Sequence, residues 1–308
     1  MKYKINRQLF PFSLFTPPIS ERFLALAVPF MREPKFIYKD RLVELRALGN
    51  DRVIPLRSKN MKLLKKLYDK SKIWFSVAWI IAYCILMSLG DRLSSLFGVE
   101  KSVTLVFGLF LSLLLIRFLK LNDLLRDFGL CKSSASAGSM LFYIPLVLML
   151  CVNLMFGIRL NYSILGTILY ILTMFCVGFL EEIIFRGLLF GAMKETSFKS
   201  AVIVASLTFG IGHIINLVNG SGADLISNLL QVVYATAAGF MFVMMYCNEG
   251  SLIPCIVAHG LFNALSAFIG EGASEPMGKI TSAVILTVIT SAYAIYLAFT
   301  LKKKKNTE

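Results

Sequence analysis

Residues 164–193 read ILGTILYILTMFCVGFLEEIIFRGLLFGAM, an apolar run interrupted only by Glu181, Glu182 and Arg186. A hydrocarbon core about 30 Å thick is crossed by about 20 helical residues at about 1.5 Å each. This run therefore reads as one long, tilted membrane helix with three ionisable groups inside it. A charged side chain at the centre of such a helix costs roughly 2.5–3.5 kcal/mol on insertion scales. Groups placed there at that cost mark a functional site, with partners on neighbouring helices.

The same apolar texture extends in both directions. The chain is 57% hydrophobic and 16% charged, with mean hydropathy +0.73, against about 45–50% and 25% in soluble domains. Apolar segments fall at 73–90, 102–119, 139–157, 164–185, 201–218, 228–246, 252–270 and 280–301. The expected fold class is all-α: a polytopic, integral membrane bundle of about eight transmembrane helices. The six cysteines form no CxxC pair and read as small buried hydrophobes.

Of the net charge of +14, residues 1–72 carry +11, from 17 Lys or Arg against 6 Asp or Glu. This basic lead-in contains no nucleic-acid reader motif, so its expected partner is anionic membrane lipid rather than nucleic acid. Further clusters lie at Arg117–Lys132, at Lys194 and Lys199, and at Lys302–Lys305. All fall on one side when the number of spans is even, which predicts both termini in the cytoplasm. The expected organisation is a basic cytoplasmic or interfacial segment over 1–72, with 1–60 outside the core fold. A bundle follows over 73–301 and a basic tail over 302–308.

The chain has two histidines, both in apolar segments: Phe209-Gly-Ile-Gly-His213 and His259-Gly-Leu-Phe-Asn263. Residues four apart share a helix face, so Phe209 joins His213, His259 joins Asn263, and Glu182 joins Arg186. Glu181 is rotated away and left freer to act. One shared site accounts for all of these groups better than separate structural roles. A carboxylate among apolar helices suits a general base, and a histidine with an amide suits a developing oxyanion. There is no G-x-S-x-G or H-E-x-x-H motif. The chemistry these groups suit is peptide hydrolysis by activated water.

The ordered trio Glu-Glu-x-x-x-Arg, Phe-x-x-x-His and His-x-x-x-Asn resembles the three motifs of the CAAX-protease and bacteriocin-processing (CPBP, or Abi) family of intramembrane endopeptidases. That family includes the Ras-converting CAAX prenyl proteases. The family-like core covers about 138–270. The resemblance implies Glu181 as the water-activating base assisted by His213, an oxyanion hole of His259 and Asn263, and support from Glu182, Arg186 and Phe209. It also implies a lipidated or membrane-embedded peptide as substrate. The family is often classed with metalloproteases, and Glu181, His213 and His259 offer ligands that zinc accepts. Using His259 as a ligand would remove it from the oxyanion, so glutamate-activated water with no obligatory metal is the favoured expectation. The alternatives are a non-proteolytic binding or bacteriocin self-immunity protein and, less favoured, a proton-coupled transporter.

Overall fold

The structure is a computed structural model, and it describes residues 59–217, 219 and 224–305. The segment 1–58 and the last residues of the basic tail, whose organisation the sequence predicts, lie outside the described residues. The described elements are helical: α1 (Lys59–Lys70), α2 (Lys72–Phe97), α3 (Ser102–Leu121), α4 (Ile144–Val152), α5 (Ile164–Glu181), α6 (Phe198–Gly212), α7 (Leu225–Glu249), α8 (Ile253–Leu265) and α9 (Pro276–Lys305). The helix α5 runs on through a π-helical stretch, Glu182–Phe190, to Met193.

Local chemistry sets the helix ends. Ser71, Ser163, Ser197 and Asp224 sit at N-caps and accept the backbone N–H three residues on. Gly98 and Gly250 close α2 and α7 in the left-handed conformation, at φ 68° and 66°. Pro145 and Pro254 lie in the first turns of α4 and α8, where no backbone donor is lost.

Six helices are long and apolar enough to cross a membrane: α2, α3, α5 with its extension, α6 with the turn that follows it, α7 and α9. Large apolar side chains such as Trp74, Ile85, Leu113, Val233 and Phe299 stand exposed on their outer faces. The protein is thus an integral, polytopic helical bundle. The third and seventh expected spans are helical but shorter, within Gly138–Val152 and Ile253–Phe268. Three left-handed residues, Leu141, Phe142 and Tyr143, precede α4. The Tyr293 hydroxyl of α9 secures this turn by donating to the Met140 carbonyl.

The pairs α7 with α9, α6 with α7, α5 with α8, and α2 with α3 make the principal packings, and α2 also packs on the π-helical stretch. At the end of α8 a short strap is paired to the chain that follows it. Arg159 N donates to Phe268 O and Asn161 N to Ala267 O, and Arg159 forms an ion pair with Glu271. Nearby, Lys279 bridges to Asp224 at 2.7 Å and, with Ser227, holds the Asp224 carboxyl well below the usual carboxylate range.

Candidate active site

Close contact between α5 and α8 brings the acidic pair to a histidine. A Cβ on Gly178 would lie 2.8 Å from the Gly260 amide nitrogen, and one on Gly260 would lie 2.7 Å from the Phe175 ring. Only glycine allows this approach. It lays His259 against both carboxylates: Nδ1 lies 2.8 Å from Glu182 Oε1, and Nε2 lies 3.4 Å from Glu181 Oε2. A carboxylate oxygen only accepts, so Nδ1 carries the hydrogen toward Glu182. Glu182 Oε1 also accepts from Arg186 Nη1 at 3.0 Å, the i,i+4 pair that the spacing predicts.

Aromatic rings enclose these charges. The Arg186 guanidinium carbon sits 4.1 Å from the Phe209 ring centroid and 5.3 Å from that of Phe242. The His259 ring stacks on Phe242 at 5.5 Å and meets Phe209 edge-on at 5.7 Å. Glu182 and Arg186 have no exposed surface, while Glu181 and His259 keep 9% and 6%. Glu181 Oε1 accepts a 2.6 Å hydrogen bond from the Tyr83 hydroxyl. Its Oε2 is buried and has no hydrogen-bond partner among the described residues, as is true of Glu182 Oε2 and of Arg186 Nε and Nη2.

A cavity of about 50 Å³ adjoins this cluster, and its lining includes His213, His259 and Asn263 together with Ala235, Ala238 and Leu286. That is room for water, which needs about 10–15 Å³. His213 caps the C-terminus of α6, where its Nδ1 lies 3.0 Å from the Phe209 carbonyl. A carbonyl only accepts, so Nδ1 is the donor, and the Nε2 of a neutral ring is left as an acceptor. The Asn228 amide holds the His213 carbonyl at 2.7 Å. The fold therefore places every residue of the three motifs in the cluster or on the cavity wall, with Phe209 and His259 in both. No hydrogen bond or ion pair joins His213 to Glu181 among the described residues; the histidine facing Glu181 is His259. Among those residues no group of three His, Cys, Asp or Glu side chains is arranged to hold a metal ion.

Residues 161–265 match the family of type II CAAX prenyl endopeptidases described as Rce1-like. The matched segment contains Glu181 through Asn263, all the motif residues that the geometry assembles. Over this segment the chain is similar to the CAAX-protease (CPBP) family. A stretch of 85 residues is 39% identical to the Bacillus subtilis (strain 168) protein named "Putative membrane peptidase YdiL", covering 27% of this chain and 30% of that relative. The chain thus spans about a third of the length of the curated relative it matches. No solved structure matches it. The matched segment runs from just before α5 to the end of α8. Residues that touch its motif groups but were not singled out by the sequence include Asn228 and Phe242, within the segment, and Tyr83, outside it.

Proposed function

We propose that the protein is an intramembrane endopeptidase that hydrolyses a lipidated or membrane-embedded peptide with water activated by Glu181. The observation carrying this reading is the buried Glu181 Oε2, without a hydrogen-bond partner among the described residues and 3.4 Å from Nε2 of His259, a residue that lines the cavity together with His213 and Asn263. Oε2 accepts a proton from water, and the free Nε2 acceptor of His213 helps to orient that water from the cavity wall. The attacked carbonyl gains negative charge, which the Asn263 amide meets from one turn beyond His259 on α8. Both ring nitrogens of His259 face carboxylate oxygens. On this reading Nε2 of His259 is the second group turned toward the oxyanion, while Glu182, fixed by Arg186, holds the ring through Nδ1.

The apolar outer faces suit substrates that arrive through lipid, and the basic clusters support an orientation with both termini cytoplasmic. A CAAX-type prenylated tail and an unlipidated membrane peptide are both compatible with such a route. The test offers wild type and Glu181→Gln in nanodiscs a panel of farnesylated and unlipidated quenched peptides, with and without chelator. Cleavage by wild type that falls by roughly 10²–10⁴-fold or more in Glu181→Gln is the expected result. Equal cleavage by both proteins sinks the assignment of the base. Loss of activity with chelator would add a metal that the residues do not assemble in this geometry.

A further inference from the structure

Tyr83 lies 11 residues into α2, about 17 Å along the helix from Lys72. That is far from the membrane interface, where tyrosines ordinarily place their hydroxyls in water. A hydroxyl at this depth is costly without a partner. The bond it makes is to Glu181 Oε1, at 2.6 Å, the short range of a hydroxyl donating to a carboxylate. The α2 helix reaches Glu181 because it packs on the π-helical stretch that follows α5. Tyr83 does not line the cavity beside His259 and belongs to no part of the segment 161–265. Whatever it contributes passes through Glu181.

We propose that Tyr83 is a positioning residue: by occupying Oε1 it fixes the Glu181 carboxylate and presents Oε2 as the one oxygen available to the attacking water. A carboxylate has two equivalent oxygens and rotates easily about its terminal torsion. Pinning one removes that freedom and points the other at His259, where it lies without a hydrogen-bond partner. The neutral phenol matters here. A lysine or arginine at the same point would neutralise the base as well as hold it, whereas a hydroxyl orients the group and leaves its charge. The first long helix thus supplies a site residue that the family segment lacks.

This inference rests on the hydrolysis reading, so its test has one arm that needs no substrate. In nanodiscs, the infrared difference between wild type and Glu181→Gln isolates the carboxyl bands of Glu181. Tyr83→Phe, which removes a single oxygen, is expected to shift those bands and to leave the melting temperature within a degree or two. On a cleaved peptide it is expected to lower kcat by roughly 10- to 100-fold with KM nearly unchanged. Bands that do not move overturn the proposal whatever the activity does. Moved bands with unchanged kcat overturn it too, since the bond would then orient nothing that matters. A raised KM with intact kcat overturns it by showing that Tyr83 meets substrate directly. If wild type cleaves nothing while the bands still shift, the hydrolysis reading fails and the hold of Tyr83 on Glu181 is supported.

Discussion

Arg186 has no exposed surface, and its side chain makes one hydrogen bond among the described residues, to Glu182. Its faces rest on Phe209 and Phe242. Such a buried pair adds little net stability, because desolvating both charges offsets their attraction, yet removing one partner strands the other at roughly 3–5 kcal/mol. Arg186→Met is expected to lower unfolding stability in a denaturing-detergent titration by about that amount. Glu182→Leu combined with Arg186→Met should recover most of it without recovering cleavage, because His259 Nδ1 then has no acceptor. A single variant as stable as wild type would show that the pair is not desolvated as the structure has it. These residues were legible in the sequence because charged groups are rare in apolar runs, and their i,i+4 spacing gave the Glu182–Arg186 contact directly. Tyr83 and Phe242 were not legible. With 25 phenylalanines and 11 tyrosines in the chain, nothing local separates the two that touch the site from the many that face lipid or core. That His259 bridges both glutamates also needed the fold, since spacing within α8 does not say which helix lies opposite.

At the scale of elements, the approach of α8 to α5 decides whether the site exists. Gly178 and Gly260 are the points of closest contact, and the obstacle to a side chain at Gly178 is backbone, at 2.8 Å from the Gly260 nitrogen, which cannot rotate aside. Gly178→Ala must push α8 outward by several tenths of an ångström or more and carry His259 away from Glu181 and Glu182. The expected outcome is a folded protein whose cleavage rate falls by about 10²-fold, as small misplacements of reacting groups commonly cost. Gly212→Ala, where an added Cβ meets nothing within 4 Å, should keep activity near wild type and serves as the control. If Gly178→Ala cleaves like wild type, the close contact does not set the catalytic geometry. The sequence announced α5 and its extension well, since a 30-residue apolar helix leaves little else to predict. It did not announce the π-helical stretch, a departure with no compositional mark that recurs at functional sites in other proteins. It also overstated α4 and α8, because hydropathy continues through Asn153–Gly157 and Ser266–Ile269 after the α-helical backbone has ended.

For the whole molecule, the ends of the helices divide by charge. Lys72, Lys120, Lys132, Lys194, Lys199 and Lys302 lie at one set of ends. At the other set, Lys101, Arg159 and Lys279 are each held in an ion pair, with Asp91, Glu271 and Asp224. The alternation agrees with the even number of apolar segments read from the sequence. On the proposed orientation the first set is cytoplasmic. Glu181 then lies 12 residues from Met193, about 18 Å along the helix, and 17 residues from Ile164, about 26 Å; His259 lies 6 residues from Ile253, about 9 Å. On that orientation the acidic pair and its histidine would sit on the cytoplasmic side of mid-depth, where the proposed substrate, a peptide anchored in the inner leaflet, would reach them with little displacement. A phosphatase module, active only outside the cytoplasm, inserted at the Gly98 turn should be active, and one inserted between Lys194 and Ser197 should be silent. A fluorescent protein that matures only in the cytoplasm should light when fused at the C-terminus. The reverse pattern would invert the bundle and place the same cluster beneath the outer leaflet. The site chemistry would be unchanged, but its substrates would have to come from the opposite face of the membrane.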